Sequence, residues 1–189
     1  LLKMNYKKCI ICNNTNHILA FPFNTHFNGK IFHFKKCLAC KFTRISPYPN
    51  RYDLKKLYNN KSYHDKFYLS IETSEYRDSI KYLKKFIKKK IKILDFGSGS
   101  GHFIKEIENI HNCYGVEYNL ETIKQLKKKF KKTTFITNNE IENRKYNNFF
   151  DIIHLGDVLE HVTAPDHLLA NLHKKIKKNG FLYIEGPIE

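Results

Sequence analysis

The residues of this chain that are best placed to do chemistry form a glycine-rich segment with one acid at its front. Asp95 lies in an apolar run, residues 91–96, and Gly97, Gly99 and Gly101 follow it. The run predicts a short buried strand, and a helical pattern begins after the last glycine. Because glycine has no side chain, such a bend lets a ligand approach the backbone closely. The helix start directs unpaired N–H groups at the same place.

The glycine spacing separates two classes of ligand. A dinucleotide fingerprint needs Gly-x-Gly-x-x-Gly, or alanine in the last place. Here the last place is His102 when counted from Gly97, and Ile104 when counted from Gly99. A carboxylate at Asp95 would also repel a pyrophosphate. The segment favours a ligand that brings an ammonium and a sulfonium and lacks phosphate, and the alternative is a turn that binds nothing.

A second acid follows the next predicted strand. The segment CYGVEYN, residues 113–119, predicts a strand that ends in Glu117, 20 residues after Gly97, where an acid can accept ribose hydroxyls in a doubly wound fold. The alternative is a surface glutamate without such a role. A β-branched run, residues 133–137, predicts a third strand, and polar residues follow it.

The segment FFDIIHLGDVLEHV, residues 149–162, is the next landmark. Its apolar part predicts a buried strand that breaks at Gly156 and Asp157. A short helical turn then carries Glu160 and His161. These side chains are therefore expected at the edge where the strand ends.

The elements that must position these residues alternate between strand and helix. We predict strands at 91–96, 113–117, 133–137, 150–155 and 181–185, and helices at 103–110, 120–131 and from Pro165 through Ile176, with Asn179-Gly180 ending the last helix. This order predicts an α/β fold, a Rossmann-like doubly wound and mostly parallel sheet.

Asp95-x-Gly97-x-Gly99-x-Gly101 resembles motif I of the class I S-adenosylmethionine-dependent methyltransferases, and the fourth-strand segment with its "EHV" resembles theirs. The resemblance covers roughly residues 71–189 and implies S-adenosylmethionine as cofactor. The family's complete sheet has seven strands, whereas this sequence ends just after the fifth. We therefore expect an incomplete seven-strand methyltransferase fold.

The resemblance implies roles for individual residues. The three glycines would admit the methionine part and the ribose, Asp95 would hold the ammonium, and Glu117 the ribose hydroxyls. The remaining candidates are Asn138, Asn139 and Ile141 for the adenine, Asp157 near the departing methyl group, and the pair His161 and Glu160. If the acceptor must lose a proton, His161 is the first candidate base and Glu160 the second. The alternative is that this pair only caps a helix.

Four cysteines near the start of the chain form two Cys-x-x-Cys pairs, Cys9 with Cys12 and Cys37 with Cys40. Two such pairs can surround one Zn²⁺ tetrahedrally. Short strands at 21–23 and 31–34 between them suggest a small ribbon with too little core to fold without metal. The alternatives are two disulfides or four free thiols. We favour a structural zinc ion.

After the second cysteine pair, a Pro-x-Pro turn and spaced tyrosines follow in SPYPNRYDLKKLYNNKSYHDKFY, residues 46–68. With the cysteine pairs, this front part, residues 9–68, is similar to a bacterial methyltransferase subfamily with an N-terminal zinc-binding domain. Members of that subfamily often lie among enzymes that tailor sugars, polysaccharides or other metabolites. We divide the chain into a zinc-ribbon-like module at 1–48, an aromatic linker at 49–70 and an S-adenosylmethionine-binding domain at 71–189.

The composition bounds the partners. The chain has 189 residues and a formal net charge of +16, but only four of its 34 basic residues are arginine. Arginine is the residue that binds phosphate and guanine in a bidentate manner, so the charge favours solvated helix faces over a nucleic-acid patch. No apolar stretch is long enough to span a membrane, and we expect a cytoplasmic protein.

Three functions remain open at this stage. The first is methyl transfer to a small-molecule acceptor such as a sugar, a nucleotide-sugar or a polysaccharide or metabolite precursor. The second is an RNA methyltransferase whose zinc ribbon binds the nucleic acid. The third is a non-catalytic module that binds the cofactor or a partner.

Overall fold

A computed structural model describes residues 7–58, 75–85, 87, 89–162 and 164–186. The chain divides into two compact units, Leu1–Asp65 and Lys66–Glu189. The N-terminal unit holds all four cysteines of the two pairs, and the C-terminal unit holds the glycine-rich segment. The predicted linker at 49–70 is described only as far as residue 58, and the rest of it lies outside the described residues.

The N-terminal unit is built on a three-stranded antiparallel sheet. Its strands are β1 (His17–Phe27), β2 (Lys30–Cys37) and β3 (Thr43–Ser46), in the order β1-β2-β3. Asn28 and Gly29 join the first two strands, and both have positive φ, 51° and 73°. This is the pair that a two-residue hairpin turn requires. The strands are longer than the sequence predicted, and β3 was not predicted.

A short helix, α1 (Arg51–Tyr58), follows the sheet. Its start is fixed by a reciprocal pair of hydrogen bonds. The Asn50 N–H donates to the Asp53 carboxylate at 2.9 Å, and the Asp53 N–H donates to the Asn50 side chain at 2.9 Å. This capping box satisfies two of the N–H groups that a helix start leaves unpaired.

The C-terminal unit contains a five-stranded parallel sheet. Its strands are β4 (Lys92–Phe96), β5 (Asn112–Glu117), β6 (Thr134–Thr137), β7 (Phe150–Gly156) and β8 (Ile176–Glu185). The spatial order is β6-β5-β4-β7-β8, so the chain winds outward in both directions from the centre. This confirms the predicted Rossmann-like, doubly wound fold.

Helices cover both faces of the sheet. The unit's helices are α2 (Glu75–Lys84), α3 (His102–Ile107), α4 (Leu120–Lys129) and α5 (Pro165–Lys175), with 3-10 turns at Glu140–Glu142, Arg144–Tyr146 and Leu159–His161. One buried cluster contains apolar residues of α2, α3 and α4, and a second contains residues of α5 and the turns after β6. Two helical layers therefore enclose one sheet, as in doubly wound folds.

The last predicted helix ends earlier than its pattern indicated. Helix α5 stops at Lys175, and Ile176, which we assigned to the helix, already pairs with Phe150 as the first residue of β8. The register of β8 then shifts, and pairing resumes between Phe181 and Ile152. Asn179-Gly180 lies inside this irregular part of the strand and does not end the helix. Apolar periodicity could not separate the two elements because they join without a loop.

Among the described residues, no helix has both the length and the apolarity that crossing a membrane requires.

Candidate functional site

The candidate site lies at the carboxyl edge of the parallel sheet. The order of the strands reverses at the centre of this sheet, since the chain continues from β4 to β5 on one side and reaches β7 on the other. Ligands of doubly wound folds bind outside the carboxyl ends of the strands at such a switch point. The glycine bend follows β4 directly, so the fold places it at this point.

The glycine bend has a fixed backbone shape. Its glycines at 97, 99 and 101 have φ angles of 86°, 49° and 80°. The N–H groups of Gly97 and Ser98 donate to the Val116 carbonyl of the neighbouring strand at 2.8 and 3.0 Å. The Gly101 N–H donates to the Ser98 carbonyl at 2.7 Å. The bend is thus anchored to β5 before any ligand arrives.

Two of the three glycines are also required by packing. A methyl group on Gly97 would lie 2.6 Å from the Val158 side chain, and one on Gly101 would overlap the Phe130 ring. Both contacts are closer than real side chains allow. The packing of the fold alone explains these two glycines, in addition to their positive φ.

Glu117 faces the glycine bend from the end of β5. Its carboxylate accepts the Gly99 N–H at 3.0 Å. The same carboxylate accepts the N–H groups of Tyr118 and Asn119 at 2.7 and 3.2 Å. These contacts place a half-buried acid against the middle glycine of the bend, which brings two of the predicted site elements together.

Asp95 has a partner that the sequence analysis did not identify. It is 3% exposed, and its carboxylate oxygen lies 2.7 Å from Nδ1 of His154, its in-register neighbour on β7. The other ring nitrogen, Nε2, lies 2.8 Å from the carboxylate of Glu185 on β8. Glu185 also accepts hydrogen bonds from the hydroxyls of Ser79 and Tyr183. These five residues form one buried network below the bend.

The His154 ring is held as a cation. A neutral imidazole has one N–H, whereas both ring nitrogens of His154 face a carboxylate oxygen. Burial opposes the charge, but the hydrogen bonds to Asp95 and Glu185 outweigh it and raise the pKa of His154 from 6.5 to about 9. The same hydrogen bond from His154 lowers the pKa of Glu185 against its burial. The three groups together carry one negative charge.

The three candidate adenine contacts after β6 differ in their exposure to solvent. Asn138 is half-buried and Asn139 is exposed, whereas Ile141 is 2% exposed and packs in the core. The Thr137 N–H donates to Glu140 at 2.6 Å, which lowers the pKa of that carboxyl, and the Glu140 N–H donates to the Thr137 hydroxyl at 3.2 Å. This reciprocal pair fixes the backbone that carries the three candidate adenine contacts.

The segment after β7 returns to the last strand. Asp157 is exposed, has a positive φ of 50°, and donates its N–H to the Glu185 carbonyl at 3.1 Å. Glu160 and His161 lie in the 3-10 turn that follows. Glu160 is exposed and lies next to Gly186, and His161 is half-buried. Both therefore lie on the carboxyl side of the sheet.

Neither His154 nor Glu185 was among the site residues predicted from the sequence. A signal was present, because His154 interrupts an otherwise apolar central strand. A buried charge must find partners, and on a parallel sheet these come from neighbouring strands. The sequence does not state which residues will be in register.

The four cysteines of the N-terminal unit form two knuckles of the same shape. In each knuckle the residue four places after the first cysteine donates its N–H to the carbonyl of that cysteine. These bonds join Asn13 to Cys9 at 2.9 Å and Lys41 to Cys37 at 3.0 Å. Asn13 and Lys41 both have positive φ, 59° and 65°. Each turn presents its pair of sulfurs to the other.

The sulfur positions suit one tetrahedral metal ion. All four sulfurs lie within 4.8 Å of one another, with 3.5 Å between Cys9 and Cys40 and 3.6 Å between Cys12 and Cys37. Zn–S bonds of about 2.3 Å place the sulfurs of a tetrahedral site roughly 3.8 Å apart. A disulfide needs about 2.05 Å, and the four residues are free thiols. The donor set therefore fits a structural Zn²⁺.

The thiols differ in their ease of ionisation. The backbone N–H of Cys40 contributes most to lowering the pKa of Cys37 to about 6. The Phe42 N–H favours ionisation of Cys40, but burial and the three neighbouring thiols outweigh it and raise the pKa of Cys40 to about 12. One thiolate in the cluster thus disfavours the ionisation of a neighbouring thiol. A divalent cation bound between the sulfurs would offset this repulsion.

Comparisons with known proteins concern the C-terminal part of the chain. The sequence model of a family described as a methyltransferase domain matches residues 68–188. No curated protein matches the chain.

Several solved structures share the fold. A Pyrococcus horikoshii protein is 22% identical with a TM-score of 0.55, covering 66% of this chain and 65% of that one. A SAM-dependent methyltransferase from Archaeoglobus fulgidus is 23% identical with a TM-score of 0.53, covering 67% and 57%. The CMeT domain of the citrinin polyketide synthase is 15% identical with a TM-score of 0.55, covering 69% and 41%. The chain thus spans less than two thirds of the length of each of these structures.

Proposed function

Because this chain belongs to the methyltransferase domain family, we propose that it transfers the methyl group of S-adenosylmethionine to a small-molecule acceptor, namely a sugar, a nucleotide-sugar or a polysaccharide or metabolite precursor. The observation that carries the proposal is the contact between the Glu117 carboxylate and the Gly99 N–H at the switch point of the sheet. In this contact, a carboxylate that can accept hydrogen bonds from ribose hydroxyls lies beside backbone without side chains. A nucleoside ligand requires both features.

Glu117 would bind the ribose, with one adjustment. A carboxylate has about four lone-pair sites, and three of those on Glu117 already accept N–H groups from the described residues. One hydroxyl could bind the remaining site directly. The second would replace the Gly99 N–H, which would then be free to donate to the ligand.

Asp95 would hold the ammonium end of the cofactor. Its side chain is only 4% exposed, so a bridging water suits the contact better than a direct one. Asn138, Asn139 and Ile141 would border the adenine. Glycine at 99 would leave room for the nucleoside and the methionine part.

When bound, S-adenosylmethionine supplies a methyl group on a sulfonium, whose leaving group is neutral. The protein's task is therefore to align the acceptor, and Asp157 would border the reacting end. If the acceptor is a hydroxyl, His161 would take its proton, with Glu160 as the second candidate. Cys9, Cys12, Cys37 and Cys40 would hold a structural Zn²⁺ in the N-terminal unit.

Charge supports a small acceptor over a polyphosphate. Five acids border or underlie the carboxyl edge of the sheet: Asp95, Glu117, Asp157, Glu160 and Glu185. A phosphate-rich substrate would have to approach these carboxylates. Within the proposed class, this edge favours neutral or cationic acceptors over nucleotide-sugars.

Calorimetric titration with S-adenosylhomocysteine, the demethylated form of the cofactor, tests the site. We expect the wild-type chain to bind it, and Glu117→Gln to bind roughly 10- to 100-fold more weakly, as the loss of a charged hydrogen bond predicts. Glu121→Gln is the matched control, because Glu121 is exposed on α4. Among the described residues, its carboxylate accepts a hydrogen bond from Lys124, and it lies outside the candidate site.

A wild-type chain that is folded but releases no heat would contradict the proposal. Binding of the cofactor without methyl transfer to any sugar or metabolite tested would favour the non-catalytic module.

One observation favours RNA as a second candidate acceptor. The N-terminal unit, residues 1–65, has twelve lysines and arginines but only two acids. It also presents a stacked pair, Phe21 and Phe23, that is 37% and 58% exposed. Positive charge and exposed aromatic rings are features of surfaces that bind single strands. RNA binding that weakens steeply with salt would support this candidate, and absence of binding at low salt would remove it.

A further inference from the structure

The buried network below the bend suggests a role for His154 that rests on the proposed function. We propose that His154 is a positioning residue for the cofactor: it joins Asp95 to Glu185 so that Asp95 stays ionised and directed at the ammonium group of the ligand. The Asp95 carboxylate would bind the ammonium group, and His154 itself need not touch the ligand.

The register of the sheet holds the His154 ring against its partners. Asp95 and His154 lie side by side on adjacent parallel strands, and His154 and Tyr183 are likewise in register on the next pair. The side chains of these three residues therefore project from the same face of the sheet. The Phe103 ring stacks on the imidazole with 3.8 Å between the ring centres. The His154 ring is thus confined and cannot turn without breaking a contact to a carboxylate.

The network holds two carboxylates and one imidazole ring. Asp95 and Glu185 both contact a ring that is 1% exposed. Asp95 is almost fully buried and Glu185 partly so, and a cation between two such carboxylates offsets the cost of their repulsion and of removing Asp95 from water. With the imidazolium present, the network carries a net charge of −1. This is the charge that complements one ammonium group.

The other titratable groups near the ring are carboxyl, thiol and phenol groups, none of which carries a positive charge. The groups that face His154 or Asp95 from the neighbouring elements are Asp95 of β4, Cys113 of β5, Tyr183 and Glu185 of β8, and Tyr76 of α2, and α3 contributes the uncharged Phe103 ring. Burial raises the pKa of Cys113 to about 12 and also raises the pKa of Tyr183. The imidazolium is therefore the cation that the described residues offer to the two carboxylates.

The test replaces His154 by glutamine and compares two ligands by calorimetry. S-adenosylhomocysteine carries the ammonium group, whereas 5′-methylthioadenosine retains the nucleoside and lacks the amino-acid part. We expect His154→Gln to bind S-adenosylhomocysteine about tenfold more weakly or worse, with 5′-methylthioadenosine unaffected. His111→Gln is the matched control, since His111 is also buried in this unit and lies outside the network.

A pH series distinguishes positioning from simple destabilisation. Below about pH 7.5 the ligand amine stays protonated, so wild-type affinity for S-adenosylhomocysteine should be nearly constant down to pH 5.5. In His154→Gln the cation between Asp95 and Glu185 is missing, so protonation of this pair should compete with ligand binding, and the affinity should fall as the pH is lowered through this range. Equal losses for both ligands, or no loss for either, would overturn the inference.

The same titrations distinguish a failure of the proposed function from a failure of the role of His154. A wild-type chain that binds neither ligand would refute the proposed function and this inference with it. A wild-type chain that binds both ligands, with an unchanged variant, would refute only the role of His154.

A measurement on the wild-type chain covers the case in which the variant does not fold. Nitrogen NMR should show both ring nitrogens of His154 protonated at pH 7, with deprotonation near pH 9. Asp95→Asn should lower this midpoint because it removes one of the two carboxylates. An ordinary midpoint near 6.5 in the wild type would overturn the inference.

Discussion

At the residue scale, the three glycines of the bend have different reasons to be glycine. Gly97 and Gly101 are required by Val158 and Phe130, whose side chains occupy the space a methyl group would need. Gly99 is the one whose N–H meets Glu117. A motif that looks uniform in the sequence thus combines two packing positions with one position next to the candidate ligand site.

We therefore expect Gly99→Val to abolish binding of S-adenosylhomocysteine, because the added side chain fills space at the bend and strains a backbone whose φ is 49°. Calorimetry measures the binding, and far-UV circular dichroism with thermal unfolding checks the fold. Gly101→Ala provides the contrast, since it should reduce thermal stability through its positive φ and its overlap with Phe130. Unchanged affinity in Gly99→Val would contradict the assignment of the site.

At the scale of elements, the N-terminal unit uses one buried acid to join a hairpin to a helix. Asp53 is 1% exposed, caps α1, and accepts hydrogen bonds from Asn28 at 3.1 Å and Lys30 at 2.7 and 2.8 Å. Asn28 forms the hairpin turn and Lys30 begins β2. The hydrogen bond from Lys30 lowers the pKa of Asp53 from 3.8 to about 2. The group is therefore ionised at neutral pH and stabilises this junction.

Asp53→Asn should reduce the free energy of unfolding of the N-terminal unit by roughly 1–3 kcal/mol, because it leaves Lys30 without its buried partner. Chemical denaturation of the wild type, Asp53→Asn, Lys30→Gln and the double variant measures the coupling between the two residues. The stabilisation should be complete above about pH 4 and disappear as the pH falls towards 2, since the folded pKa is the lower one. Purely additive losses at neutral pH would contradict the predicted ion pair.

The elements of the C-terminal unit were largely predictable, and the exception is informative. Five strands and the helices between them followed from apolar runs and glycine or proline boundaries. Strand β8 began five residues earlier than Phe181, the residue at which we predicted it to start. Its first residue, Ile176, fits the apolar pattern of the helix as well as that of the strand. Only its pairing with Phe150 shows that it belongs to the strand.

At the scale of the whole molecule, the chain combines two units that differ in how much apolar core they bury. The C-terminal unit buries two apolar clusters on either side of a sheet. The N-terminal unit has few buried apolar residues among those described, and leaves Ile18, Leu19 and Phe23 at least half exposed. A small unit with so little core needs a further source of folding free energy, and a metal ion held by the four cysteines would supply it.

We expect about one equivalent of zinc per chain, measured by elemental mass spectrometry. Removal of zinc by a chelator should unfold the N-terminal unit, detected by limited proteolysis, because the thiol cluster would lose the ion that holds its two knuckles together. The C-terminal unit should keep its resistance to protease. Cys40→Ser should lose zinc, whereas Cys113→Ser should retain it, since the buried Cys113 thiol contacts the His111 carbonyl. A metal-free and fully folded preparation would contradict the zinc site.

The sequence by itself determined the order of the elements, the place of the glycine bend, the acid that ends each of the first two strands, and the cysteine pairs. These features are local, because periodicity, glycine spacing and Cys-x-x-Cys pairs act over a few residues. Only the tertiary structure decided which distant residues meet. Asp95 and His154 are 59 positions apart, and their contact depends on the register of two parallel strands. Local pattern cannot set that register, since the packing of both helical layers on the sheet fixes it.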